Sequence, residues 1–277
     1  MRRLGKFVMV MAMTAATAGC GGGDDGAGDV DGSASGPAAT TTVPVPSTAG
    51  GTTVPSSNLT LKITDLRLVN SEESDNGVRV LLPAGVATAS VTVTGLPTPN
   101  RVVSVCQARE LDSRLSGAAC RTPTNGEAMT VTLGTAATGI EIVQVGTTGS
   151  GAAGNSAALE EVTIRYAASS RELNVRLPQI AAGESGGRPS FGLTPPSTDG
   201  TYRGTLNWTV IPVFGGSPST GQLELVQGGT VAGQAQGGSG GVQLTGKLSP
   251  PVGETSIRIR NTGESALVTP KLSVLLP

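Results

Sequence analysis

Apolar and polar residues alternate with a period of two along the chain from Leu59 onward. Leu59, Leu61 and Ile63 alternate with threonine and lysine, and similar stretches follow up to the last residues. Successive side chains of an extended strand point to opposite faces, so this alternation is typical of strands with one buried face. Turn-forming pairs such as Asn125-Gly126 separate the stretches. They begin at Leu59, Val91, Met129, Val162, Leu173, Leu223, Val242, Ile257 and Leu272.

These stretches predict an all-β fold of one or two antiparallel β-sandwiches, Ig-like or jelly-roll-like. No segment has the pattern of a long amphipathic helix, and only Ser156 to Glu161 is compatible with a single helical turn. Small residues interrupt the strand pattern near 179–190. We therefore expect one sandwich over 58–179 and a second over 188–277, with one large jelly roll as the alternative.

The first 57 residues depart from the alternating pattern. Arg2, Arg3 and Lys6 precede a short apolar run, which predicts a secretory signal peptide over residues 1–19. Residues 21–57 contain no leucine, isoleucine or aromatic residue, and glycine, threonine and proline dominate them. Such a composition buries too little apolar surface to fold, so residues 20–57 are expected to form a disordered tether.

The segment Ala18-Gly19-Cys20, at the end of the predicted signal peptide and the start of the tether, resembles the lipobox of bacterial lipoproteins. The resemblance implies that Cys20 is lipidated, becomes the mature N-terminus and binds membrane lipid on the extracytoplasmic face. Thr17 stands where the lipobox usually has leucine, so cleavage after Ala18 to release a secreted protein is the alternative. No later stretch approaches the roughly 20 apolar residues of a membrane-spanning helix.

Charge is distributed unevenly between these segments. Three of the 19 basic residues lie in the signal peptide, and four of the 20 acidic residues lie in the tether. The remainder of the chain, residues 58–277, therefore carries 16 basic and 16 acidic residues. A neutral body has no electrostatic footprint for nucleic acid, which excludes nucleic acid as an expected partner.

The three cysteines divide into one anchor and one pair. With Cys20 assigned to lipidation, Cys106 and Cys120 remain, and an even pair in an oxidising compartment predicts a structural disulfide. A thiol redox pair would favour the Cys-x-x-Cys spacing, which is absent.

The chain has no histidine, which removes most hydrolase triads and imidazole metal sites. The segment Gly237-Gly238-Ser239-Gly240-Gly241 matches a nucleophile-elbow pattern but lacks its histidine base. Carboxylates remain for catalysis, and the pairs are Glu110 with Asp112 and Glu160 with Glu161. We expect no cofactor and no enzymatic activity, and a carboxylate-based glycan-active enzyme ranks behind the binding hypotheses.

Two features suggest ligand binding. The polar loop Asn70–Gly77 is a candidate calcium site through Glu72, Glu73 and Asp75, although a solvated turn is the favoured interpretation. Trp208 is a candidate for stacking on a sugar ring. Against this, it shares the even positions of its strand with other large apolar residues, which predicts that it points into the core. Those residues are Tyr202, Leu206, Val210 and Phe214.

These observations favour a membrane-anchored, extracytoplasmic lipoprotein whose β-sandwich is a non-catalytic binding or structural module of the cell envelope. A glycan- or calcium-binding module, anchored or secreted, is the alternative function. The expected partners are membrane lipid through Cys20 and an unidentified protein or glycan of the envelope or the extracellular space.

Overall fold

The computed structural model describes most of the chain from Ser56 onward and nothing before it. The described ranges are 56–69, 77–98, 103–112, 118–135, 137–144, 156–183, 188–195, 199–210, 218–248 and 253–277. The predicted signal peptide, Cys20, the predicted tether up to residue 55 and the loop residues Glu72, Glu73 and Asp75 lie outside them. The described residues, from Ser56 onward, belong to one compact unit.

The described residues are all-β, as the alternating pattern predicts. They form sixteen strands and no helix, and no segment among them could cross a membrane as a long apolar helix. The strands are β1 (Ser57–Val69), β2 (Val78–Leu81), β3 (Thr88–Thr94), β4 (Val103–Ala108), β5 (Cys120–Arg121), β6 (Ala128–Thr132), β7 (Gly139–Gln144), β8 (Ser156–Ala168), β9 (Glu172–Arg176), β10 (Ser190–Leu193), β11 (Gly200–Thr209), β12 (Gly221–Gln227), β13 (Thr230–Gly237), β14 (Gly241–Leu248), β15 (Thr255–Asn261) and β16 (Val268–Leu275).

The strands form two eight-stranded antiparallel sheets that face each other as a sandwich. Sheet A has the order β13-β12-β15-β10-β1-β8-β3-β6. Sheet B has the order β14-β11-β16-β9-β2-β7-β4-β5. Side chains from the inner faces of both sheets form one hydrophobic core, which confirms the predicted sandwich class.

The connectivity divides each sheet into two halves. Within β1 to β8 the first strand pairs with the eighth, the second with the seventh, the third with the sixth and the fourth with the fifth. This nested pairing is a long antiparallel hairpin rolled across two sheets, which is the topology of a jelly roll. We call β1 to β8 the first roll.

Strands β9 to β16 repeat the same connectivity, strand for strand. β9 pairs with β16, β10 with β15, β11 with β14 and β12 with β13. We call this set the second roll. The structure is therefore two jelly rolls of identical topology. The first roll ends at Ala168 and the second begins at Glu172, whereas the boundary expected at 179–188 lies after β9.

The two rolls are joined edge to edge by hydrogen-bonded strands. β1 pairs with β10 in sheet A, and β2 pairs with β9 in sheet B. At the first junction, Phe191 lies between Ile63 and Ile257, and all three side chains are buried. Both sheets and the core continue from one roll into the other.

One local expectation is wrong. Residues Ser156–Glu161 form the first part of strand β8 and not a helical turn. They pair with the end of β1, where the buried side chains change from odd positions, ending at Ile63, to even positions, beginning at Leu66. Asp65 at this change has a φ of 55°, the left-handed conformation. The two strands change faces together, and this disrupts the alternation within Ser156–Glu161.

Candidate functional site

A row of polar side chains crosses the outer face of the first roll. Thr60, Arg165, Ser90 and Thr130 are direct cross-strand partners on β1, β8, β3 and β6. Each lies next in sequence to a buried residue of the inner face. Because side chains alternate along a strand, burial of those neighbours forces these four side chains outward.

The row lies in an open groove of about 620 Å³. The loop between β2 and β3 forms part of its wall through Gly85 and Ala87. Apart from Arg165, the polar side chains that line it carry hydroxyl or amide groups, and no lining residue is acidic. The remaining polar lining residues are Ser56, Asn58, Thr88 and Tyr166.

A second depression of about 620 Å³ lies on the other side of the same loop. Gly85 and Ala87 line it as well, together with Leu82, Pro83 and Leu133 among others. The β2–β3 loop therefore borders both the hydroxyl-lined groove and a more apolar depression that extends to Glu172 and Asn174 of β9 in the second roll.

The charge of the groove comes from Arg165. Its side chain is exposed, and no hydrogen bond or ion pair joins it to another described residue. The nearby Lys62 Nζ lies 3.8 Å from Glu161 Oε2, so the charges of these two residues offset each other. Burial raises the pKa of Tyr166 above its ordinary value, with a partial offset from Arg171, and the phenol is therefore neutral at physiological pH.

A second polar cluster lies on the outer face of sheet B, near the junction of the rolls. Glu141, Arg79 and Arg176 are direct cross-strand partners on β7, β2 and β9, and all three are buried. Arg79 Nε donates to Glu141 Oε1 at 3.0 Å. Compensation of the guanidinium by the carboxylate makes the burial of both charges tolerable.

The loop after β4 covers this cluster and connects the two rolls. The Leu111 carbonyl accepts hydrogen bonds from Arg79 of the first roll at 2.8 Å and from Arg176 of the second roll at 3.3 Å. Asp112 Oδ2 lies 2.7 Å from Lys271 Nζ on β16. Residues of the first roll therefore contact two strands of the second.

The disulfide predicted from the cysteine count is present. Cys106 on β4 and Cys120 on β5 are cross-strand partners and are bonded, with 14 residues of sequence separation. The bond closes the base of the loop that carries Leu111 and Asp112. Closing a loop of this length stabilises a fold by about 3 kcal/mol in the chain-entropy model. Its place in the structure indicates a structural role.

Trp208 packs in the core, as its position in the strand predicts. The side chain is 6% exposed, and Nε1 donates to Ser219 Oγ at 2.7 Å. Gly221 lies against the ring, where a Cβ atom would approach within 2.8 Å. The expectation that Val210 also belongs to the core is wrong, because β11 ends at Thr209 and Val210 is 42% exposed. Phe214 lies outside the described residues.

The candidate carboxylate pairs do not form a common site. Glu160 is exposed, and Glu161 pairs with Lys62. Glu110 lies on the surface, with its Oε1 3.9 Å from Arg109 Nε, and Asp112 pairs with Lys271. Among the residues that the structure describes, no three carboxylates or cysteines are grouped as metal ligands would be. The elbow-like segment at 237–241 is the turn between β13 and β14.

Sequence reasoning missed both polar clusters. Arg165 and Ser90 occupy ordinary outward positions of alternating strands, and only the cross-strand register aligns them. Glu141 follows the same pattern, between Ile140 and Ile142. A charged residue between two apolar residues could have indicated an outward position on a strand, but it does not identify the cross-strand neighbour of that residue.

A solved structure resembles this chain at low sequence identity. No protein-family model and no curated protein sequence matches this chain. The N-terminal CBM22-1–CBM22-2 tandem domain of Xyn10C from Paenibacillus barcinonensis matches over 79% of this chain and 78% of that chain, with 10% identity and a TM-score of 0.18. At that TM-score the similarity supports no inference about this protein.

Proposed function

We propose that this protein is a non-catalytic, lipid-anchored module that displays its double jelly roll outside the cytoplasm and binds a glycan in the groove of the first roll. The observation that carries the proposal is the row Thr60, Arg165, Ser90 and Thr130. Hydroxyl groups both donate and accept hydrogen bonds, so a row of them complements the hydroxyls of a sugar chain. Rigid strands hold the row in place.

The anchor and the groove are compatible in the chain. The polypeptide enters the described body at Ser56, which lines the groove, and the tether precedes this residue in sequence. A chain of 36 residues, 20 to 55, has a mean span of about 30–35 Å when flexible. An anchored body therefore has room to reach a ligand beyond the bilayer surface.

Removal of the anchor is expected to release the protein. In cells of a bacterium that lipidates the chain, we expect Cys20→Ser to move it from the membrane fraction to the soluble or secreted fraction. Stable anchoring requires two or more acyl chains, which only Cys20 would carry. The variant Thr17→Leu, which restores the usual lipobox residue, is expected to remain in the membrane fraction. A Cys20→Ser protein that still sediments with membranes would contradict the anchor.

Obstruction of the groove is expected to abolish glycan binding. Ser90→Tyr places a bulky ring in the centre of the row, on a solvent-facing position where the fold tolerates it. We expect the wild-type full chain to be retarded in affinity electrophoresis by at least one polysaccharide of a panel of neutral and acidic polymers. Ser90→Tyr is expected to lose that retardation.

The matched control is Thr205→Tyr, a comparable half-buried outward position on the second roll. It is expected to bind as the wild type does. Retardation of Ser90→Tyr equal to that of the wild type would place the glycan elsewhere. No retardation of the wild type by any polymer would argue against glycan binding itself.

A further inference from the structure

The groove has a charge that neutral sugars do not require. Arg165 lies in the centre of the polar row, between Thr60 on one side and Ser90 on the other. No acidic residue lines the groove, although residues 58–277 as a whole carry equal numbers of acidic and basic residues. The groove is therefore a local positive site on a neutral body.

Two arginines of the outer faces have carboxylate partners. Arg79 pairs with Glu141 at 3.0 Å, and Arg260 Nε lies 3.4 Å from Glu224 Oε1. Arg165 has no such partner among the described residues. A guanidinium that is exposed and uncompensated within a groove attracts an anionic group of a ligand.

We infer that the groove recognises an acidic polysaccharide, with Arg165 binding a carboxylate of the sugar chain and the flanking hydroxyls binding its hydroxyl groups. This inference rests on the proposed glycan-binding function and adds the class of glycan. The planar guanidinium presents two parallel N–H groups that match the two oxygens of a carboxylate. Thr60, Ser90 and Thr130 supply neutral donors and acceptors on either side.

The dimensions of the row fit an extended chain. Adjacent strands are about 4.8 Å apart, so the three intervals from β1 to β6 extend about 14 Å. The row would therefore contact several sugar units of a polymer that lies across the strands. A charged contact in the middle then selects acidic units, and the outer hydroxyls hold the units on either side.

The test compares two polymers with the same sugar backbone, one with free carboxylates and one with methyl esters in their place. The full chain is titrated with polygalacturonate and with fully methyl-esterified polygalacturonate, which has the same sugar backbone without free carboxylates. We expect at least about tenfold tighter binding of the free acid, since a hydrogen bond to a charged group exceeds a neutral one. Added salt is expected to reduce this preference, because the groove is open to solvent.

Arg165→Gln is expected to remove the preference, so that both polymers bind about equally. Arg203→Gln is the matched control, because Arg203 is an exposed arginine on the outer face of β11 in the second roll and does not line the groove. It is expected to keep the wild-type preference. Coincident urea unfolding curves of both variants would exclude a folding defect as the cause.

The outcomes separate the inference from the function on which it rests. Equal wild-type binding of the acid and the ester would overturn carboxylate recognition and leave glycan binding in place. An acid preference that persists in Arg165→Gln would also overturn the role of Arg165. No binding of either polymer, together with no binding of neutral polysaccharides, would contradict the proposed function itself.

Discussion

Replacing Glu141 by alanine is expected to lower the free energy of unfolding by about 3–5 kcal/mol, the cost of leaving a buried charge without its partner. Arg79 is 2% exposed, and its guanidinium is held at 3.0 Å from the Glu141 carboxylate. The variant keeps the guanidiniums of Arg79 and Arg176 buried and removes the carboxylate that pairs with Arg79. Urea unfolding of wild type and variant measures the difference.

A double variant distinguishes the charge from the packing. Arg79→Met combined with Glu141→Leu replaces both charged side chains by apolar ones, and such replacements are often neutral or stabilising. We expect it to recover most of the loss seen in Glu141→Ala. If Glu141→Ala costs under about 1 kcal/mol, the pair is solvated and not buried as the structure has it.

Truncation of Phe191 to alanine is expected to cost about 3–5 kcal/mol, as large-to-small changes of buried aromatic residues do. Phe191 is fully buried, and its strand β10 pairs with β1 of the first roll. The cavity would lie at the junction where the sheets of the two rolls join. Because one core runs through both rolls, we expect a single unfolding transition at a lower urea concentration.

Leu275→Ala is the matched control for this experiment. Leu275 is 52% exposed on β16, and truncation of an exposed side chain is expected to change stability by at most about 0.5 kcal/mol. Two separate transitions in Phe191→Ala, with only one displaced, would show that the rolls unfold independently. That result would contradict the continuous core as a single cooperative unit.

Alternation of apolar residues was sufficient to predict most strands. It failed where strands lack the pattern. β13 (Thr230–Gly237) is an edge strand of glycine, glutamine and alanine with most side chains exposed, so no buried face marks it in sequence. β10 (Ser190–Leu193) is only four residues long, with Phe191 and Leu193 as its inward pair. Both strands are recognised only through their hydrogen-bonded partners.

Some features of the candidate sites could be predicted from the sequence, and others depend on pairing between distant strands. The Cys106–Cys120 bond followed from counting, because only two cysteines remain after Cys20 is assigned. The core position of Trp208 followed from its strand parity. The Arg79–Glu141 pair joins residues 62 apart in sequence, and no local pattern relates them. The groove row likewise depends on three strand registers at once, each set by long-range pairing.

By itself, the sequence determined the all-β class, the inward face of most strands and the disulfide, because side-chain alternation and cysteine number are local or countable properties. Only the tertiary structure decided that two jelly rolls share continuous sheets, and that Arg165 lies in a hydroxyl-lined groove. The physical reason is that antiparallel pairing between distant strands sets which outward residues become neighbours. Any one strand's sequence specifies its faces, and the partner strands specify the site.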